Sequence, residues 1–210
     1  MFKFIKFVFY FAVFITCLFL VLSFGQPLLQ EIKYNINKIS GFQYKLAEYD
    51  SSGNLVIPDS EKIRYLYPAD KDFSIVIPKI GAVAKIFADI DPFNESEFLP
   101  VLRMDRLAHV KDTSYPGGRG KIFLFSHSTD TIVNAGKYNT IFYLMEKMQS
   151  GDEIDIYFRG LLYKYSVVDN KIISPADVDY KDSLDGEMLM IMTCYPYGTT
   201  LKRLIITAKP

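Results

Sequence analysis

Three textures of apolar and polar residues follow one another along the chain, and each predicts a different kind of element. Residues 7–24 are almost wholly apolar and carry no charge. At about 1.5 Å per residue this run makes a helix roughly 27 Å long, close to the thickness of a hydrocarbon core, so it reads as a transmembrane helix. Residues 27–72 alternate irregularly and contain the turn signals Ser51-Ser52-Gly53-Asn54 and Pro58-Asp59-Ser60, which suits a stalk with some local structure. From Phe73 onward, short β-type runs separated by Gly, Pro and Asp continue to the end. Strands are predicted over 74–78, 82–87, 121–126, 153–158, 161–168, 187–193 and 203–208. Residues 95–104 and 139–148 instead show helical spacing, notably at Ile141, Leu144, Met145 and Met148. Seven or eight strands with short connecting helices predict an all-β domain closed into a barrel, which leaves no exposed edges. The expected organisation is an anchor over 1–26, an extracytoplasmic stalk over 27–72 and a catalytic domain over 73–210.

Charge sets the direction of insertion. Lys3 and Lys6 precede the apolar run and favour a cytoplasmic amino terminus, with everything after Gln26 on the far side of the cell membrane. A cleavable signal peptide is the competing reading, because Ser23-Phe24-Gly25 has small residues at peptidase spacing. The apolar run exceeds the usual signal core and Pro27 follows closely, which favours an uncleaved anchor; the domain is exported under both readings. Net charge is zero and no basic stripe is interleaved with aromatics, which argues against a nucleic-acid partner. Of the two cysteines, Cys17 lies within the apolar run and Cys194 in the exported domain, so they cannot form a disulfide with each other. A single thiol in an oxidising compartment points to a reactive role, the alternative being a buried structural cysteine.

Candidate chemistry gathers at strand ends. Cys194 closes one predicted strand and Arg203 opens the next, across a connection suited to antiparallel neighbours, so pairing sets the two side by side. His127 likewise ends the strand over 121–126. A thiolate attacks an amide carbonyl; an imidazolium stabilises the thiolate and then protonates the leaving amine; a guanidinium, which never deprotonates, donates to the oxyanion. Thr193 is positioned to help hold a substrate backbone. Strand alternation turns Lys202 away if Arg203 faces the sulfur.

The run Met190-Ile191-Met192-Thr193-Cys194, followed by Pro196, Gly198 and Arg203-Leu204-Ile205-Ile206, resembles the cysteine signature and closing strand of sortases, although the first Thr of the family pattern is absent. Ile77-Pro78-Lys79-Ile80-Gly81 resembles the first strand of the sortase core. Leu107-Ala108-His109, Tyr115-Pro116-Gly117-Gly118 and Gly120 resemble the stretch before the catalytic histidine, with Lys121 where Asn is usual and Ser126 where Gly is usual. Gly151-Asp152-Glu153-Ile154, Tyr163-Lys164-Tyr165 and Ser174-Pro175-Ala176-Asp177 also fit. The resemblance covers residues 73–210 and implies an eight-stranded β-barrel with His127, Cys194 and Arg203 as the triad of a membrane-anchored cysteine transpeptidase. It implies as substrate a secreted protein with a carboxy-terminal LPXTG-like sorting signal, passed through a thioester to an amine on peptidoglycan or a pilin lysine. The connection over 170–186 corresponds to the loop that cradles the sorting signal, with Ile172, Ile173, Pro175 and Val178 as an apolar wall.

No cofactor and no metal are expected: Asp89, Asp91, Glu95 and Glu97 lack the spacing of a calcium loop and read as a solvated segment. Asp91-Pro92-Phe93 resembles the plug motif of pilin-type sortases but follows the first strand, so it reads as a turn with an apolar anchor. His109 reads as a hydrogen-bonded scaffold residue. Two alternatives stand beside the transpeptidase: a non-catalytic membrane-tethered β-domain, which predicts an unreactive Cys194, and an L,D-transpeptidase-like cell-wall enzyme, whose Gly before the cysteine is missing here.

Overall fold

The computed structural model describes residues 2–49, 55–56, 61–103, 106–126, 140–179, 186–197 and 199–210. Helix α1 (Phe2–Ser40) opens the chain. Its stretch Lys3–Val21 has a mean hydropathy of 2.5 and is long and apolar enough to cross a membrane. The helix continues past Pro27 for more than three further turns. Two small strand pairs follow: β1 (Gln43–Leu46) lies parallel to β4 (Ile63–Leu66), and β2 (Glu48–Tyr49) lies antiparallel to β3 (Leu55–Val56).

Eight strands then close a barrel: β5 (Phe73–Ile77), β6 (Ala82–Ile90), β7 (Leu107–Val110), β8 (Lys121–Phe125), β9 (Glu153–Phe158), β10 (Leu161–Ile173), β11 (Met188–Tyr195) and β12 (Lys202–Lys209). Their order around the barrel is β10-β12-β11-β8-β7-β6-β5-β9, and β9 pairs with β10 to complete the ring. Pairing is antiparallel except for β6 with β7 and β8 with β11, which run parallel. The closed barrel expected from the sequence is therefore present.

Alternation sorts the strand residues into two layers. Leu189 and Ile191 of β11 and Leu204, Ile206 and Ala208 of β12 face the interior, packed with Ile75, Ile77, Leu124 and Tyr165. The intervening Met192 and Ile205 face outward, against Phe123, Phe125, Ala108 and α2 (Glu95–Leu102) through Val101 and Leu102. A fully buried Leu, Ile or Phe contributes about 1.5–3 kcal/mol, so burial on both faces fixes these strands firmly. Helix α2 is started by Asn94, whose side chain accepts from the Ser96 amide and donates to Glu97 at 2.7 Å. Outside β5 and β9, Leu46 packs on Val76 and Tyr157 and seats the β1/β4 pair on the barrel.

Several elements differ from the sequence expectations. Strand β7 was not predicted, since its four residues are all buried and show no alternation. Strand β10 runs five residues beyond Val168, because a register shift between Val167 and Asp169 resets the alternation and lets pairing with β12 continue. The segment predicted as a helix over 139–148 is a 3-10 helix at Thr140–Lys147, with Leu144 and Met145 buried. Phe93 is 79% exposed, so it is not the buried apolar anchor expected for the turn at Asp91-Pro92-Phe93.

Candidate active site

The end of the barrel where β8 and β11 finish and β12 begins gathers the chemistry. Cys194 pairs in register with Arg203, Thr193 with Leu204, and Tyr195 with Lys202. Paired antiparallel residues lie about 4.5–5.5 Å apart at their Cα atoms and share a face. Cys194 and Arg203 therefore stand side by side on the outward face, two residues beyond Met192 and Ile205 in their strands. The Arg203 guanidinium donates from Nη1 to the carbonyl of Thr200 (3.0 Å), in the connection that follows β11, and to that of Lys202 (3.1 Å), the first residue of β12. That connection is folded on itself, with the Thr199 amide and hydroxyl both donating to the Pro196 carbonyl.

On the other side of β11, Met192 pairs with Phe125, and the Ser126 amide donates to the Met192 carbonyl at 3.0 Å. Ser126 is thus bonded to β11 at the residue two before Cys194. His127 itself lies outside the described residues. The hydroxyls of Ser126 and Thr193 are buried here with no hydrogen-bond partner among the described residues.

Thr193 has the interior parity of Leu189 and Ile191 and is 3% exposed, so its side chain points away from the face that bears Cys194. The four wall residues divide in the same way. Ile173 pairs with Arg203 and, with Val178, packs at the margin of the outward layer. Ile172 pairs with Leu204 in the adjacent row and is 44% exposed, and Pro175 is exposed in the short 3-10 helix Pro175–Asp177. Ile172 and Ile173 sit on β10 itself, where the sequence suggested a loop. A cavity of about 20 Å³ beside Cys194 is lined by Thr193, Tyr195, Phe142, Tyr143 and Tyr197. Tyr143 and Tyr197 meet edge to face at 5.3 Å. These aromatics were missed in the sequence, where Tyr-Pro-Tyr after the cysteine is their only trace. A much larger cavity, 770 Å³, lies between α1 and the barrel and holds neither Cys194 nor Arg203.

His109 stands apart. It pairs with Leu124, which is level with Ile191, and it is fully buried. Its Nε2 is 3.0 Å from the Ser114 carbonyl and Nδ1 accepts from the Asp89 amide, while its ring stacks on Tyr115 at 4.4 Å. Burial holds its pKa below the usual 6.5, against the opposing pull of the Ser114 carbonyl and Asp89. Burial and the hydrogen bond to Asp89 push the Tyr115 hydroxyl up to about 12. His109 is thus a neutral framework residue. In the acidic segment nearby, the Glu97 carboxylate accepts from the Asp91 amide and Asn94, and no cluster of three or more metal-binding side chains occurs among the described residues.

The closed eight-stranded barrel thus carries a cysteine and an arginine paired across its last two strands. The Sortase domain family model matches residues 75–210, and the chain belongs to the sortase family. Sortase D of Bacillus subtilis (strain 168) is 28% identical over 139 residues, covering 63% of this chain and 60% of that relative. The match therefore spans less than two thirds of the relative's length. Among solved structures, the Clostridium perfringens Sortase D5 transpeptidase is 29% identical with a TM-score of 0.53, over 66% of this chain and 77% of that one. The lid mutant of Sortase A from Corynebacterium diphtheriae is 25% identical with a TM-score of 0.51, over 66% and 69%.

Proposed function

We propose that this chain is a membrane-anchored cysteine transpeptidase acting on secreted proteins. The observation that carries the reading is the register pairing of Cys194 with Arg203, in a chain of the sortase family. In this reading the Cys194 thiolate attacks the carbonyl of a scissile amide, and the tetrahedral oxyanion accepts hydrogen bonds from the Arg203 guanidinium. The C–N bond then breaks, His127 gives a proton to the leaving amine, and the acyl group remains on sulfur as a thioester. An incoming amine attacks that thioester, His127 takes its proton, and the thiolate is restored. No cofactor enters the cycle.

The substrate class is an LPXTG-like sorting signal cut after Thr, and the acceptor is an amine of peptidoglycan or a pilin lysine. Ile173 and Val178 supply an apolar margin beside the reacting pair, and Ile172 and Pro175 its exposed outer part. Thr193 contributes through its main chain, since its side chain faces inward. The anchor over 1–26 holds residues 27–72 and the catalytic domain over 73–210 on the extracytoplasmic side, with the amino terminus in the cytoplasm. Cleavage of a fluorogenic LPXTG peptide by the full-length protein in detergent, abolished in Cys194→Ala and His127→Ala, is the expected result. No cleavage of any sorting peptide tried would favour a non-catalytic tethered domain.

A further inference from the structure

Helix α1 continues unbroken beyond its membrane-spanning stretch to Ser40. Counting about 20 residues from Lys6 to cross the hydrocarbon core brings the bilayer surface near Gln26. At about 1.5 Å per residue, the remaining helix then stands roughly 20 Å clear of the core. This outer part has two unlike faces. One rests on the barrel: Lys147 pairs with Glu31 at 2.9 Å, Tyr34 packs against the interior core cluster, and the buried Asn37 amide donates to the Tyr44 hydroxyl. The other presents Leu29, Ile32, Ile36 and Ile39 to solvent, at 59%, 45%, 55% and 87% exposure.

Those four residues are spaced three, four and three apart, which is the a and d seam of a heptad repeat. Glu31, Tyr34 and Asn37 fall at c, f and b, so the barrel occupies the side away from the seam and leaves it open. The same alternation runs back through Gly25 and Leu22 to Leu18, Ile15 and Phe11 in the membrane stretch. We propose that this seam is a docking surface for further copies of the same chain, joined as a parallel coiled coil that continues from the membrane to the foot of the barrel.

Three observations favour that occupant. The bilayer does not reach Ile36 or Ile39 on a helix that leaves it directly. Copies anchored by the same segment enter the membrane from one side, which sets them parallel and in register. In that register the flanking positions bring Leu28 beside Lys33 and Asn35 beside Ser40, so no like charges meet along the seam. Leu or Ile at a with Ile at d favours three or four chains over two.

The test uses the full-length chain carrying Cys17→Ala and Cys194→Ala, kept in native membranes. Ile36→Cys in this background is expected to form a covalent dimer on mild oxidation at least ten-fold more than Lys38→Cys. Equal cross-linking at the two positions, or none at Ile36→Cys, overturns the proposal. Quenching of a label at Ile36→Cys by a lipid-borne probe, without cross-linking, assigns the face to the bilayer and also overturns it. In a second arm, native mass spectrometry of the detergent-released wild type is expected to show an oligomer that Ile32→Glu/Ile36→Glu reduces to monomer, with the barrel melting temperature unchanged. A monomeric wild type, or an oligomer that survives both substitutions, contradicts the seam.

Discussion

Lys121 on β8 donates to the main-chain carbonyl of Asp179 at 3.0 Å and lies 3.5 Å from its carboxylate, tying the segment after β10 to the barrel wall. The Lys121 side chain is 4% exposed and the Asp179 side chain 71%. Most of the ion-pair attraction is therefore screened by water, and the bond to the carbonyl is the firmer part. Asp179→Asn is expected to change stability by less than about 1 kcal/mol. Lys121→Met keeps the bulk and loses the tie, so proteolysis at 174–179 should accelerate several-fold, and KM for a sorting peptide should rise more than kcat falls. Equal proteolysis rates for Lys121→Met and wild type would remove this tie from the account.

Arg203→Lys keeps the positive charge and loses the planar fork. If the guanidinium serves the oxyanion, turnover should drop by roughly 10²–10³-fold, the range for losing one oxyanion donor. Far-UV circular dichroism should not change, because the β11/β12 pairing does not depend on the side chain. Turnover equal to wild type would take Arg203 out of the mechanism.

Stability should depend on His109 at mildly acidic pH. In the unfolded chain this group titrates near 6.5, while burial lowers its pKa in the folded barrel. Between those values the unfolded chain binds more protons, so the contribution is intact above about pH 6.5 and is lost as pH falls towards the folded value. Calorimetry from pH 8 to pH 5 should show a melting temperature that declines on the acid side, with a shallower decline in His109→Gln. Identical slopes would show that His109 is not responsible.

Gly117 has φ +79°, and an added Cβ would lie 2.8 Å from the Tyr163 ring. Its amide donates to Glu187, which also accepts from the Tyr165 hydroxyl, so this turn is fastened to the segment leading into β11. Gly117→Ala should destabilise by more than about 1 kcal/mol through backbone strain and the clash together. Adding Tyr163→Leu should relieve the clash and leave the strain, so that part of the lost stability returns, as read from chemical denaturation. No loss of stability in Gly117→Ala would contradict the assignment.

The pairing of Cys194 with Arg203 was legible because both bracket a connection of hairpin length between two strongly apolar runs. The inward direction of the Thr193 side chain departs from the expectation that it helps hold a substrate backbone, although strand alternation implies it once Cys194 is placed outward. Strand β7 was hidden by its shortness and by His109, a polar residue at an interior position. The extension of β10 was hidden by Asp169, Asn170 and Lys171, which imitate a turn until the register shift is known. Continuation of α1 past Gly25 and Pro27 was obscured because those residues signal an ending locally, whereas Tyr34 and Asn37 hold the outer turns through contacts with the barrel and β1 that no local pattern contains. The role proposed for His127 rests on the sequence motif, since position 127 lies outside the described residues.

The measurement that bears most directly on the central claim is intact-protein mass spectrometry after mixing the full-length chain with an LPXTG peptide and no added amine. An adduct matching the acyl portion up to Thr, mapped to Cys194 and released by hydroxylamine, is the expected result, and Cys17→Ala should leave it unchanged. Cleavage of the peptide by Cys194→Ala, cleavage by wild type with no adduct, or an adduct mapped to Cys17 would contradict the account.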